Sequence, residues 1–251
     1  MERITSRKNP FVARLRALAS DAELRRDTGE TVLDGVKLLG EALSSGAEVT
    51  GVLCAGGAAL PDGLRCGVYE APAELVSYAS PVKNSPGPVF SVRMPHIAAP
   101  ERVRNAVVLE DIQDPGNVGT LIRSANALGI GAVILTGSCA DRTSPRAVRA
   151  SMGAAFRQYV AECPLDALGG LLGEMGLRLY GAALSDRAVD LRSARLENSA
   201  VAIGNEGHGL SRRLLDMCEK TVIIPMKPGS ESLNAAAAGA VIMWELTRDI
   251  L

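Results

Sequence analysis

The sequence predicts an α/β protein. Its larger part is a mainly parallel sheet covered by helices on both faces, with a small α/β domain ahead of it. Three observations lead there. Beyond residue 105, apolar runs of strand length at 106–110, 131–136, 178–183, 200–204 and 221–225 alternate with helical patterns. The runs are short and continuous, as buried strands are. Three of the segments break into glycine-bearing loops with isolated polar side chains: 109–130 (LEDIQDPGNVGTLIRSANALGI), 201–210 (VAIGNEGHGL) and 222–246 (VIIPMKPGSESLNAAAAGAVIMWEL). Loops at strand ends are where an open α/β sheet builds a site.

The elements follow in chain order. Residues 1–26 predict a helix after Asn9-Pro10, with Val12, Leu15 and Leu18 at helical spacing. Strands are expected at 31–35, 50–55, 67–70 and 88–93, the last behind the Ser85-Pro86-Gly87-Pro88 turn, with helices at 35–45 and 72–79. These make a first domain over 1–94. Residues 95–105 (PHIAAPERVRN), with two prolines and no sustained periodicity, read as a linker. The second domain, 106–251, adds to its strands a weaker one near 157–161 and helices at 119–129, 144–153, 165–175, 211–217 and 232–249. The closing helix is apolar around most of its circumference and must be covered on more than one side. A dimer seam or complete burial within one chain would supply the cover.

Composition narrows the classes. Apolar residues are 47%, charged residues 22% and aromatics only 3%, so the core must be aliphatic and alanine-rich. A net charge of −1 means that any nucleic-acid partner needs a local basic patch. Cys54, Cys66, Cys139, Cys163 and Cys218 are scattered, odd in number and never in CxxC spacing. That argues against a disulfide framework and a zinc site. The start, MERITSRKNP, has no apolar signal core. The longest apolar run, 235–244, is far below the ~20 residues that span a bilayer. No membrane partner is expected, and the expected location is the cytoplasm.

Several chemistries can be set aside. The first loop has only Gly116 and Gly119, in DPGNVG, which is not the dinucleotide fingerprint; Glu110, Asp111 and Asp114 would repel a pyrophosphate. No GxxxxGK[ST] or GxSxG sequence occurs. His96 lies in the linker and His208 between two glycines, both read as solvated. No histidine, cysteine and carboxylate cluster has metal-ligand spacing. What remains is a set of amides, one carboxylate, one hydroxyl and one guanidinium: Asn117, Asn234, Glu206, Ser232 and Arg123. Such a set suits binding a polar, nucleotide-like molecule and positioning a hydroxyl. Plainer roles stand beside it. Arg123 could be a surface arginine, Glu206 the acid of a tight turn near a helix start, and Ser232 the cap of the closing helix. Asn234, in the first turn of an apolar helix, is expected to be a buried amide in need of partners.

NVGTLIRSANALG, IGNEGHGLS and IPMKPGSESLN, in this order and separation, resemble the three motifs of the SpoU (TrmH) family of RNA ribose 2′-O-methyltransferases, within the SPOUT superfamily. The resemblance covers the second domain. Residues 1–94 are more loosely similar to the substrate-binding domain of many rRNA-directed members. It implies an open sheet whose C-terminal segment threads a loop into a deep trefoil knot, S-adenosylmethionine as methyl donor without a metal, and a homodimer. It points to 23S rRNA as substrate; tRNA methylation, or a catalytically silent RNA-binding protein on the same scaffold, are the alternatives. Gly204, Ile224 and Leu233 match positions that contact the donor, and Thr136 and Gly137 are assigned to the same site. Arg123 matches the arginine treated as catalytic. Asn117, Glu206, Ser232 and Asn234 match polar positions that hold the site or substrate. A guanidinium keeps its proton, with a pKa above ~12, so Arg123 is better suited to grip a phosphate and orient the ribose hydroxyl than to act as a base.

Two basic segments are candidates for RNA. In 1–16, Arg3, Arg7, Lys8, Arg14 and Arg16 stand against Glu2; Arg7 and Lys8 would lead a phosphate-contacting arm, and a solvated helix face is the alternative. In 141–157, Ser144 and Pro145 start a helix that carries Arg146 and Arg149, with Arg142 just ahead of it. There too RNA phosphate contacts compete with a solvated face.

Overall fold

A computed structural model describes residues 2–185, 188–227, 229 and 232–248. Its contacts divide into two compact units, one of Met1–His96 with Asp141–Arg157 and one of Ile97–Ala140 with Gln158–Leu251. The sequence groups 141–157 with the second domain; by contacts this segment lies with the first unit.

The chain begins with β1 (Glu2–Arg3), α1 (Pro10–Ser20), α2 (Ala22–Thr28), β2 (Glu30–Asp34), α3 (Val36–Ser44), β3 (Glu48–Cys54), β4 (Gly67–Glu70), α4 (Ala73–Ala79) and β5 (Val89–Arg93). The single helix expected over 1–26 is two. Asp21 adopts an extended conformation and its carboxylate accepts from the Leu24 N–H at 3.0 Å, which caps a new helix. The sheet of this unit is mixed, in the order β1-β4-β3-β5-β2. Val12, Leu15 and Leu18 of α1 pack with Val32, Leu53, Leu75, Val76 and Val89, so the helical spacing read from sequence does mark the buried face.

Next come β6 (Asn105–Glu110), α5 (Pro115–Ala127), β7 (Ala132–Thr136), α6 (Pro145–Ala150), β8 (Val160–Glu162), α7 (Leu165–Glu174), β9 (Arg178–Ala182), β10 (Val189–Asp190), β11 (Ser199–Ile203), α8 (Arg212–Met217), β12 (Lys220–Ile223) and α9 (Ala235–Leu246). Helix α5 opens four residues before the expected start, because Asp114 accepts from the Gly116 N–H and Pro115 fits the first turn. That places Asn117 on the helix rather than in the loop. Helix α6 is shorter than 144–153 and is followed by a 3-10 turn at Ala154–Phe156. Its cap is Ser144, as the sequence indicates. The expected end of the closing helix at 249 lies outside the described residues.

The second sheet runs β10-β12-β9-β11-β6-β7-β8, and every pairing in it is parallel. Successive strand residues face opposite sides. Ala106, Val108, Ala132, Ile134, Ala200 and Ala202 face Leu168 and Leu172 of α7 and Leu214 of α8. The alternate residues face α5 and α9, where the Ile203 side chain lies beside Gly239. Each large aliphatic residue buried this way contributes about 1.5–3 kcal/mol. All strands run the same way, so the ends of β6, β7, β11 and β12 deliver their loops to one edge.

Candidate functional site at the strand ends

The loop after β11 is shaped by Asn205. Its backbone pairs with Gly209 in both directions, at 3.1 and 3.0 Å, and its Oδ1 accepts from the N–H groups of Gly207 and His208. Its Nδ2 donates to the Asp111 carbonyl oxygen at 2.8 Å, tying this loop to the one after β6. Gly204 stands where the two arms of the loop cross, and a Cβ there would overlap the backbone of Gly209 and Leu210. Glu110, buried at the end of β6, accepts from both the N–H and the hydroxyl of Ser211, at 2.7 and 2.6 Å. Its carboxylate is therefore a clamp, not the exposed repulsive charge read from the sequence.

A second set of contacts joins the three motif segments. Asn234 caps α9, its Oδ1 accepting from the N–H groups of Ala236 and Ala237 at 2.9 and 3.3 Å. Those donors fix the orientation of the amide. Its Nδ2 then donates to Asn117 Oδ1 at 3.2 Å, and Asn117 Nδ2 donates to Glu206 Oε1 at 2.7 Å. The result is a polarised chain from a helix N-terminus to a carboxylate, in which each bond strengthens the next. Two expectations are corrected. Asn234 is exposed and satisfied rather than buried, and it, not Ser232, caps α9; Ser232 is exposed.

Arg123 is not part of this chain. It is exposed on α5, six residues after Asn117, which is about 9 Å along the axis and about 240° around it. Asn117 and Leu121 face α9, so Arg123 lies on another flank of the helix.

The residues assigned to the donor line the same edge. Thr136 is buried, and its hydroxyl has no hydrogen-bond partner. An orphan hydroxyl at a strand end is what a polar ligand would satisfy. Gly137, at φ +67°, follows it with the Asp111 carboxylate where a Cβ would be, so only glycine fits. Ile224 is half-buried and Leu233 is 43% exposed, leaving an apolar wall open to a ligand. These groups fit a molecule with an adenine and a polar tail. Among the described residues no cluster of histidine, cysteine and carboxylate could hold a metal ion.

The basic candidates lie in the first unit. The Arg7 guanidinium stacks over the Tyr78 ring at 4.4 Å, and Lys8 is exposed. Arg149 approaches Asp34 at 3.5 Å, and with Arg146 it lines a hollow of about 340 Å³ beside Leu38 and Lys83. Arg142 is half-buried. Asp141 is gripped by Arg25 at 2.7 Å, whose Nη1 donates to the Leu18 carbonyl. Burial alone would raise the Asp141 carboxyl, but hydrogen bonds from Thr143 and Arg25 hold it below its ordinary value.

Asn205, Glu110 and Ser211 carry the site's frame without having been singled out for it. The Gly-Asn-Glu-Gly run was a signal for the first; the pairing of Glu110 with Ser211 had none.

A parallel sheet with an amide and carboxylate cluster at its strand ends suits an α/β protein that positions a polar, nucleotide-like ligand. Residues 104–244 match the model of the SpoU rRNA methylase family, and the chain belongs to that family of methyltransferases. The chain is 29% identical over 248 residues to a Bacillus subtilis 23S rRNA (guanosine(2553)-2′-O)-methyltransferase, covering 98% of this chain and 99% of the relative. An AdoMet-bound rRNA methyltransferase from Sinorhizobium meliloti superposes with a TM-score of 0.86 at 26% identity, over 100% of this chain and 98% of that one. The SpoU methyltransferase AviRb from Streptomyces viridochromogenes, in complex with AdoMet, gives a TM-score of 0.84 at 27% identity, over 96% and 98%.

Proposed function

We propose that this protein transfers a methyl group from S-adenosylmethionine to a ribose 2′-hydroxyl of 23S rRNA. The observation that carries the reading is the Asn234–Asn117–Glu206 chain, which joins all three motif segments at one sheet edge. The activity of the Bacillus subtilis relative, over nearly its whole length, supports the substrate. Bound at this edge, S-adenosylmethionine supplies an electrophilic methyl on a sulfonium. Gly204, Ile224, Leu233, Thr136 and Gly137 would hold it through main chain, apolar wall and the orphan hydroxyl. Glu206 has its Oε1 taken by Asn117 and presents Oε2 to a substrate hydroxyl, with Ser232 exposed in the neighbouring motif loop. Arg123 grips a target phosphate and orients the ribose. Arg7, Lys8, Arg142, Arg146 and Arg149 contact RNA backbone.

The protein acts as a homodimer in the cytoplasm. Val241 and Trp244, exposed by 42% and 62%, form an uncovered apolar patch on α9 that a second copy would bury. Arg123, away from its own chain's amide network, then serves the site of the second copy. The knotted path is favoured by topology. β12 pairs with β9 on its outer side, whereas α9 packs on α5 and β11.

The test is incubation with S-adenosylmethionine and, separately, unmodified 23S rRNA and tRNA transcripts, followed by nucleoside analysis. A 2′-O-methyl nucleoside from 23S rRNA is expected. Base methylation, or methylation of tRNA alone, would overturn the assignment.

A further inference from the structure

At the opposite edge of the second sheet, where β6 and β11 begin, lies a cleft of about 490 Å³. Arg102, Arg104, Arg192, Arg195 and Arg248 line it, against the carboxylates of Glu197 and Glu245. Arg192 is locked to Asp190 at 2.6 Å, and its carbonyl oxygen accepts from Arg248, which itself pairs with Glu245. Arg102, Arg104 and Arg195 are exposed and make no ion pair among the described residues. Guanidinium groups stay charged at any physiological pH. In a chain whose net charge is −1, this is a concentrated positive surface.

We propose that this cleft is a second RNA-backbone site, which holds phosphates of the substrate remote from the methylated nucleotide. The proposal rests on RNA being the substrate. Guanidinium forks match phosphate oxygens in pairs. The lining has no aromatic ring on which a base could stack, and its neutral polar members, Ser193 and Asn198, suit phosphate and sugar. Strand β6 separates the cleft from the catalytic edge by five residue steps, about 17 Å. A target nucleotide with only its immediate neighbours would not reach both edges, so the cleft selects for a longer RNA.

The test uses the full chain with Arg102→Gln, Arg104→Gln and Arg195→Gln combined, none of which breaks an ion pair among the described residues. Binding to an unmodified full-length 23S rRNA transcript is measured across a salt series, with donor affinity and melting as controls. Affinity should fall about tenfold or more, and the slope of log K against log salt should flatten by about 0.7–0.9 for each phosphate no longer held. A short single-stranded oligonucleotide centred on the target nucleotide should lose little. If the triple variant does not fold, Arg195→Glu alone carries the same comparison. Unchanged affinity and slope, with wild-type protein binding and methylating the transcript, would overturn the cleft proposal and leave the function intact. Failure of wild-type protein to bind or methylate any RNA would instead remove the functional reading. Tighter binding of a fluorescent poly-aspartate peptide than of RNA, lost in the variant, would assign the cleft to an acidic protein and overturn it too.

Discussion

Asn234 holds two structures together with one amide. Its oxygen caps the N-terminus of α9 and its nitrogen orients Asn117 toward Glu206. The two roles can be separated. Asn234→Asp preserves the capping oxygen but sets a carboxylate against Asn117 Oδ1, so methyl transfer should drop at least tenfold while urea stability changes by less than about 1 kcal/mol. Asn234→Ala should lose both, with about 1 kcal/mol of stability. Cys218 offers a different check. Burial, and secondarily the charge of Glu110, push its thiol up to about 11. At pH 8, iodoacetamide should modify Cys218 only after unfolding. A folded value above the unfolded one of 9.0 means that its contribution to stability is intact below pH 9 and declines as pH rises toward 11. Urea midpoints across that window give the measurement. At this scale the sequence was legible where a motif names a residue, as with Asn117 and Glu206. It was silent where the partner is remote: Asn205 meets Asp111 94 positions away, and Ser211 meets Glu110 101 positions away.

Among elements, α5 carries Asn117 and Asn234 caps α9, and the approach of the two helices depends on Gly239. A Cβ there would overlap the Leu121 side chain. Gly239→Val should therefore destabilise the protein by about 1–3 kcal/mol, read from urea denaturation, since overpacking a tight helix contact displaces both backbones. Strand and helix types were mostly legible because their apolar periods differ. Boundaries were not. Asp21 splits one expected helix into two, and Asp114 with Pro115 starts α5 early, because a cap is a local hydrogen bond that periodicity does not record. β10, two residues long, is too short to leave any pattern.

For the molecule as a whole, assembly and unit integrity are the properties at stake. Asp141, held by Arg25 within the first unit, sets an acid limit. Its folded pKa lies below the unfolded value of 3.8, so its stabilisation is present above that pH and is lost as pH falls through the folded value. Trp244→Glu should convert the proposed homodimer to monomer in sedimentation velocity. Mixing Arg123→Ala with Asn117→Ala protein should restore about a quarter of wild-type methylation if Arg123 acts across the seam, since half the dimers are mixed and each holds one intact site. No recovery would place Arg123 in its own chain's site. The apolar α9 was readable as a helix needing more cover; which side stays uncovered was fixed only by packing.

The most direct measurement is single-turnover methyl transfer by Asn117→Ala, with S-adenosylmethionine affinity determined on the same preparation. Loss of the amide that aligns Glu206 should slow transfer by about 10- to 100-fold and leave donor affinity within about twofold. An unchanged rate would contradict the assignment of the Asn234–Asn117–Glu206 chain as the centre of the reaction.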